Sequence, residues 1–537
     1  MMKTPRLNRL DVHAKLQAHA DAMRQPDKHL RRLIDEPNRL DSFSKIGAGL
    51  YFDYSRQRLD PHTLELLVTA AKELDLLKRF EQMCRAEKIN VTEQRAVLHT
   101  AARSQRTEPI LLDGRDVAPE LAEVRKAIQK FSTQIHGGSI TGSTDKPFRD
   151  VVVVGIGGSY LGTEFVATAL SSGSEPRMRL HYLSNVDIHN FGDIATNIDP
   201  ETTLWVVISK SYTTAETMAN LRQAEQFMRD KGLDPSRHIV TVTAKGSPGD
   251  DPATPVLGTF HMFDYIGGRY SVTSAVGGVP LSLCFGYERY EQFLDGAAQM
   301  DQHARSAPEN ENLPLLAALI TVWNTTYLKY QQQAIIPYAA PLRKLGPHVQ
   351  QLNMESNGKA VDLGGTLLSE PAGTVIFGEP GTNAQHSFFQ SAHQGRPFPI
   401  DFIGVRRPQY PEYNVRSKGV TNHQELWINM VAQARALAIG QSSGDKARFF
   451  SGNRPSSCIV LDDLAPVNIG RLLSFYEART VFEGFLWGIN SFDQFGVQLG
   501  KTVASGLRDQ IARRNQDPSY AFSDIDDISR AYLEMID

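Results

Sequence analysis

The chain has 537 residues, of which 41% are hydrophobic and 22% are charged, and its formal net charge is −3. This composition is typical of a globular protein of two or three domains, and the charge gives no electrostatic reason to expect nucleic-acid binding. Cys84, Cys284 and Cys458 are too few and too widely spaced for a disulfide framework or a cysteine zinc site. No run reaches the roughly 18 apolar residues of a membrane span, and the basic N-terminus lacks the apolar stretch of a signal peptide, so we expect a soluble, cytoplasmic protein.

The first part of the chain, residues 1–120, predicts a mainly helical region. Apolar residues recur at helical spacing from Leu64 to Leu77, and the stretch 117–135 is amphipathic. These helices are expected to provide scaffold or dimer surface.

A strand, a glycine turn and a helix start follow one another in VVVVGIGGSYLGTEFVATAL, residues 151–170. Four consecutive valines predict a strand that is buried on both faces. Gly155, Gly157 and Gly158 end the strand, and a helical run begins after Ser159. Backbone N–H groups and the helix dipole at such a turn attract an anion, so the stretch predicts a phosphate site. A ligand-free α/β crossover would also need a glycine or two.

The turn differs from the dinucleotide fingerprint G-x-G-x-x-G, because Tyr160 stands in place of the third glycine. The acidic residue expected about 20 positions further on could at best be Asp187. These features favour a small phosphate ester over NAD, with an NAD-dependent dehydrogenase as the rival interpretation.

Further strands are predicted at 179–185, 204–209 and 238–244, at a spacing that suits βα units and a parallel sheet. The strand at 204–209 leads into the hydroxyl-rich loop 209–214, SKSYTT. Loops that follow parallel strands share one edge of the sheet, so this loop is expected to face the glycine turn and to cradle the same phosphate. The alternative is a solvated polar turn.

Two smaller signals accompany this unit. Thr213 and Glu216 have the spacing of a capping box at the start of the next helix. Gly267 and Gly268 precede Arg269, which predicts a tight turn that aims a guanidinium, a group suited to oxyanions.

A second α/β unit is predicted in the remaining chain. A helix at 313–332 is followed by strands at 335–340 and 374–378. An apolar helix is expected across 471–505, and the last thirty residues are polar and predict a helical tail.

Six stretches, in order from about residue 150 to residue 501, carry a family resemblance: VGIGGSYLG, SKSYTTAET, DYIGGRYSVTSAVG, QQLNMESNGK, GEPGTNAQHSFFQ and NSFDQFGVQLGK. Together they resemble the glucose-6-phosphate isomerase (phosphoglucose isomerase) family. The resemblance implies an α/β fold with two sugar-isomerase (SIS) type α/β/α sandwich domains, parallel-rich sheets, a helical N-terminal region and a C-terminal arm. On this sequence, we expect an N-terminal region at 1–120 packed on the large domain, a smaller domain at 121–287, a larger domain at 288–505 and a helical tail at 506–537.

The resemblance also implies an activity. It is the reversible isomerisation of D-glucose 6-phosphate to D-fructose 6-phosphate, by ring opening and proton transfer through a cis-enediolate, in glycolysis and gluconeogenesis. Neither a cofactor nor a metal ion is expected, and the chain is expected to form a homodimer. The rival in this fold is a non-catalytic module that binds a sugar phosphate.

The site residues that the resemblance implies fall into three groups. The phosphate is expected to lie against Gly158, Ser159, Ser209, Lys210, Ser211 and Thr214. The catalytic group is Glu355 as base, Arg269 beside the enediolate, and His386 with Lys501 for ring opening, the histidine coming from the neighbouring subunit. Gln351 and Gln494 are expected to line the site. The sequence departs from the family pattern at Ser211, where threonine is usual, and at Gln498, where glutamate is usual.

Overall fold

The computed structural model describes residues 6–104, 108–173 and 175–536. Within the predicted N-terminal region, 1–120, residues 1–5 and 105–107 therefore lie outside the described residues. The chain divides into two compact units, Met1–Ser491 and Phe492–Asp537. The predicted division into four parts stays a prediction.

The strands are β1 (Ser44–Gly47), β2 (Leu50–Asp53), β3 (Leu111–Leu112), β4 (Arg115–Asp116), β5 (Asp150–Val154), β6 (Arg179–Leu183), β7 (Thr203–Ile208), β8 (Ile239–Ala244), β9 (Gly258–Met262), β10 (Gln332–Pro337), β11 (Val375–Phe377), β12 (Ile400–Val405), β13 (Arg416–Ser417), β14 (Val420–Thr421) and β15 (Ser456–Leu461). The helices are α1 (Asp11–Ala22), α2 (Leu30–Leu33), α3 (Arg39–Ser42), α4 (Pro61–Glu73), α5 (Leu76–Cys84), α6 (Ala118–His136), α7 (Leu161–Leu170), α8 (Ile188–Ala195), α9 (Ala215–Asp230), α10 (Ala275–Phe285), α11 (Tyr287–Ser306), α12 (Leu313–Val322), α13 (Leu345–Asn357), α14 (Phe389–Gln394), α15 (Asn422–Ile439), α16 (Pro466–Trp487), α17 (Gly496–Gln516) and α18 (Asp527–Glu534).

The first sheet has five parallel strands in the order β6-β5-β7-β8-β9. The valine strand lies inside the sheet and is fully buried, which confirms the prediction from its sequence. Val154 pairs with Leu183 on one side and with Val207 on the other. The chain leaves β5 for β6 in one direction and later returns to β7 on the other side, so the switch of direction lies at β5. Open α/β sheets bind ligands at such a point, outside the carboxyl ends of the strands.

The second sheet has six strands in the order β1-β2-β15-β12-β10-β11. The strands β11, β10, β12 and β15 are parallel, and the N-terminal hairpin β1–β2 extends the sheet through an antiparallel pairing of β2 with β15. The sequence predicted a mainly helical region and did not indicate this hairpin. The hairpin turns at Ala48 and Gly49, which have φ of 46° and 76°, and its strands are four residues long, too short for a clear alternating pattern.

A central helix, α16, packs against α11, α12 and α13. All of its residues except Val467, Arg471 and Trp487 are buried, as expected of a helix that is surrounded on all sides. The prediction of one helix across 471–505 is wrong, because α16 ends at Trp487 and Gly488 adopts a left-handed conformation with φ of 68°. The predicted helix 313–332 is also shorter, since α12 ends at Val322 and a π-helical turn, Trp323–Tyr327, follows it.

The second unit, Phe492–Asp537, contains α17 and α18. The Arg514 guanidinium donates to the carbonyl oxygen of Tyr520 at 2.6 Å and lies over the ring of Phe522. The Tyr520 hydroxyl donates to the Gln510 side chain at 2.9 Å. In the described part of the chain, no helix is both long and apolar enough to cross a membrane.

Candidate active site

Two polar loops follow neighbouring strands at the carboxyl edge of the first sheet. The glycine turn 155–159 follows β5, and the loop 209–214 follows β7. A Cβ added to Gly155 would lie 3.3 Å from the carbonyl oxygen of Ile208, so the two loops start in direct contact. The predicted adjacency of the loops is therefore confirmed.

The hydroxyl groups of the loop 209–214 are bonded within the loop. The Ser209 Oγ accepts from the Tyr212 N–H at 3.1 Å, and the Ser211 Oγ accepts from the Thr213 hydroxyl at 2.8 Å. The predicted capping box is wrong, because the helix α9 has Thr214 as its N-cap and that side chain makes no capping bond. Thr213 instead bonds Ser211, which leaves Thr214 close to Ser209, at 3.5 Å between their hydroxyl oxygens.

Lys210 connects this loop to the segment that carries Arg269. Its Nζ lies 3.2 Å from both the carbonyl oxygen and a carboxylate oxygen of Asp264. Burial lowers the pKa of Lys210, and the Asp264 carboxylate opposes that shift. A partly buried ammonium on the loop that adjoins the glycine turn is well suited to a phosphate.

The glycine turn packs directly on the turn before Arg269. A Cβ added to Gly158 would lie 2.5 Å from the carbonyl oxygen of Gly268 and 2.7 Å from the backbone nitrogen of Arg269. The Ser271 hydroxyl donates to the carbonyl oxygen of Gly158 at 3.3 Å. Only glycine fits at position 158 with this backbone, and its absence of a side chain brings the turn against Arg269.

Arg269 is almost fully buried and is held from three directions. Its Nε donates to the Ser356 hydroxyl at 2.7 Å, and its Nη2 donates to the carbonyl oxygen of Ser491 at 2.6 Å. Its Nη1 lies 3.3 Å from a carboxylate oxygen of Glu355. Ser356 and Ser491 were quoted in the family motifs, but no signal in the sequence assigned them to this arginine.

The helix α13 presents Glu355 and Gln351 on one face, four residues apart. The Gln351 Nε2 donates to the second carboxylate oxygen of Glu355 at 2.9 Å. A Cβ added to Gly157, which has φ of +59°, would lie 3.3 Å from the same Nε2, so this helix face lies against the glycine turn. The Glu355 side chain is 23% exposed, which leaves part of the carboxylate open to a ligand.

Three predicted residues remain, which are His386, Gln494 and Lys501. His386 ends a 3₁₀ turn, Asn383–His386, and is exposed. Among the residues that the structure describes, no hydrogen bond joins His386 to Glu355. Gln494 and Lys501 belong to the second unit, with Lys501 in α17 and Gln498 one turn before it. The described residues contain no group of three or more His, Cys, Asp or Glu side chains that could hold a metal ion.

Comparison with known proteins shows the family. The profile of the phosphoglucose isomerase family matches residues 53–525. The chain belongs to the phosphoglucose isomerase family. A glucose-6-phosphate isomerase of Desulfosudis oleivorans is 58% identical, over 100% of this chain and 99% of the relative. A cytosolic glucose-6-phosphate isomerase of rice (Oryza sativa subsp. japonica) is 44% identical, over 92% of this chain and 90% of its own length.

A solved structure agrees with this family membership. The crystal structure of a glucose-6-phosphate isomerase from Chlamydia trachomatis superimposes with a TM-score of 0.90 at 37% identity, and the match covers 99% of each chain. The mixed α/β architecture with parallel-rich sheets is thus that of a phosphoglucose isomerase.

Proposed function

We propose that this protein catalyses the reversible isomerisation of glucose 6-phosphate and fructose 6-phosphate. The observation that carries the proposal is the pairing of the Glu355 carboxylate with the buried Arg269 guanidinium, beside two loops suited to a phosphate. The family match and the names of the relatives support the substrate. The cytosolic names of plant relatives support a cytoplasmic location.

The phosphate is proposed to bind at the edge of the first sheet. Gly158 offers its backbone N–H and Ser159 its hydroxyl, and the loop 209–214 offers hydroxyls from Ser209, Ser211 and Thr214 together with the Lys210 ammonium. The phosphate does not react. Its binding energy instead holds the sugar in register with the groups on α13.

The proton transfer is assigned to Glu355. The carboxylate takes the proton from C2 of the open-chain aldose and returns it to C1 on the same face, through a cis-enediolate. Negative charge develops on the substrate oxygens during this transfer, and Arg269 is already fixed beside them by Ser356 and Ser491. A charge that needs no reorganisation stabilises the transition state most effectively. Gln351 orients the base through its 2.9 Å hydrogen bond, and Gln494 is proposed to line the sugar.

Ring opening is assigned to His386 and Lys501. Histidine is suited to this role because its imidazole can accept a proton at one ring nitrogen and donate one from the other. We propose that the protein is a homodimer in which each subunit lends His386 to its partner's site. The exposure of His386 and the absence of a hydrogen bond to Glu355 within the described chain support this arrangement.

The decisive experiment compares catalysis with binding in Glu355→Gln. The amide keeps the shape of the side chain but cannot accept the C2 proton, so conversion of glucose 6-phosphate should fall by at least about 10²–10⁴-fold while affinity for a sugar-phosphate inhibitor is retained. Activity within tenfold of the parent would remove Glu355 from the role of base.

The control is Glu81→Gln. The Glu81 side chain is 24% exposed and pairs with Arg305, which matches the environment of Glu355 at a site away from the loops. Its activity should stay at the parental level. A chain that binds the sugar phosphate but never converts it would instead be the non-catalytic module, and NADH binding would point to a dehydrogenase.

A further inference from the structure

A buried carboxylate, Glu483 of α16, lies behind the helix that carries the base. One of its oxygens accepts hydrogen bonds from the Nδ2 atoms of Asn353 at 2.6 Å and of Asn357 at 3.1 Å. Its other oxygen accepts from the Nε of Arg479 at 2.8 Å. Glu483 has no exposed surface, so both oxygens are committed to protein donors.

The two asparagines lie on a different face of α13 from Glu355. Residues four apart share a helix face, so Asn353 and Asn357 form one row, and Gln351 and Glu355 form another. The rows are about 200° apart around the helix, because each residue advances by about 100°. Glu483 therefore holds the face roughly opposite to the base, and this contact limits the rotation of α13 about its own axis.

The other end of this contact is anchored in the second sheet. The Arg479 Nη1 donates to Asp401 of β12 at 2.6 Å, and its Nη2 donates to Gln333 of β10 at 2.5 Å. Both strands lie inside the sheet. Two buried side chains, Glu483 and Arg479, thus connect α13 to the second sheet and fix its orientation.

The contact between Glu483 and Asn357 is also linked to Arg269 by hydrogen bonds. The Asn357 Oδ1 accepts from the Ser491 hydroxyl at 2.7 Å, and the carbonyl oxygen of Ser491 accepts from Arg269 at 2.6 Å. A displacement of Asn357 would therefore disturb the base and the cation together.

We propose that Glu483 is a positioning residue for the isomerisation. By holding Asn353 and Asn357 it sets the orientation of α13 and aims Glu355 at the carbon that it deprotonates. Glu483 touches neither the substrate nor the reacting atoms. The inference rests on the proposed function, in which Glu355 is the base.

The test begins with Glu483→Gln, which keeps the size of the side chain. An amide has one acceptor and one donor, so its NH₂ group must face either the asparagine donors or Arg479, and one contact is lost. Because a misplacement of about 1 Å can cost about 10²-fold in rate, kcat should fall about 10- to 100-fold. KM and the affinity for a sugar-phosphate inhibitor should change less than about threefold, since the groups proposed to bind the phosphate lie on the loops 155–159 and 209–214 and not on α13.

The matched control is Glu477→Gln. Glu477 lies on the same helix, is equally buried and accepts from the Arg103 guanidinium at 2.5 Å, but among the described residues no hydrogen bond or ion pair joins it to α13. Its substitution alters a buried ion pair on the same helix and should leave kcat within about threefold of the parent.

A rescue distinguishes positioning from general destabilisation. Asn353→Asp alone places two carboxylates against each other and should also lower kcat. The double variant Asn353→Asp/Glu483→Gln reverses donor and acceptor, because the new amide can donate to the new carboxylate, while Asn357 keeps its bond to the Thr480 carbonyl oxygen at 3.1 Å. Its kcat should return to within about fivefold of the parent.

Several outcomes overturn the proposal. They are an unchanged kcat in Glu483→Gln, an equal loss in Glu477→Gln, a change confined to KM, or a double variant no better than the worse single variant. If Glu483→Gln does not fold, Asn353→Ala provides the comparison. It removes one donor and leaves Glu483 bonded to Asn357 and Arg479. A loss of kcat below about threefold in this variant would then overturn the proposal. A parent protein that fails to isomerise glucose 6-phosphate would instead refute the proposed function.

Discussion

The closest packing in the candidate site yields a sharp prediction for Gly158→Ala. The added Cβ would lie 2.5–2.7 Å from backbone atoms of Gly268 and Arg269, whereas ordinary van der Waals contact begins near 3.4 Å. Neither neighbour can rotate away, because both atoms belong to the main chain. The two turns must therefore separate by about 1 Å.

Two magnitudes follow from this separation. Forcing an extra methyl group into a packed region costs about 1–3 kcal/mol, so the free energy of unfolding should decrease by that amount. A shift of about 1 Å between the phosphate turn and Arg269 should lower kcat/KM about 10²-fold, because the sugar is no longer held in register with the base. Denaturant unfolding gives the first value, and a coupled assay of fructose 6-phosphate formation gives the second.

Gly192→Ala is the matched control. Gly192 lies inside α8, and a Cβ added there meets nothing within 4 Å. This substitution should stabilise the protein by about 0.4–1 kcal/mol and leave kcat/KM unchanged, because alanine reduces the entropy of the unfolded chain and favours the helix. If Gly158→Ala behaved like Gly192→Ala in both measurements, the packing of the turn on Arg269 would have no bearing on catalysis.

Three further predictions concern the phosphate, the subunits and metal ions. Lys210→Ala should weaken sugar-phosphate binding at least tenfold at neutral pH. Because burial lowers the pKa of Lys210, binding by the parent protein should weaken as the pH rises, and this loss should occur at a lower pH than it would for an exposed lysine. Measuring inhibitor affinity across a pH series tests this. Equal amounts of Glu355→Gln and His386→Ala, refolded together, should regain about a quarter of parental activity if His386 is shared between subunits, whereas activity no higher than the mean of the two variants, with mixed dimers verified by mass, would show that it is not. Activity should survive exhaustive chelation, and a loss that added metal restores would contradict the proton-transfer mechanism.

Local signals in the sequence predicted four of the five strands of the first sheet and the positions of the phosphate loops. The four valines, the glycine turn and the spacing of the strands predicted the parallel sheet, because burial on both faces and the need for a tight turn act within a few residues. The motif resemblance supplied Glu355 and Arg269. The same resemblance supplied their roles, with Glu355 as the base and Arg269 as the cation beside the enediolate.

The tertiary structure decided what no local pattern encodes. The hairpin β1–β2 pairs with β15, a strand some 400 residues later in the chain. Strands of four residues are too short for their sequence periodicity to predict that pairing. The break after α16 occurs at Gly488, which adopts a left-handed conformation. Arg269 is fixed by Ser356 and Ser491, which lie 87 and 222 residues away in sequence. The helix α13, which carries Glu355, is held by Glu483 through Asn353 and Asn357, at separations of 130 and 126 residues. Hydrogen bonds between residues so far apart in sequence form only after the sheets and the central helix have packed, so their geometry is a property of the folded chain.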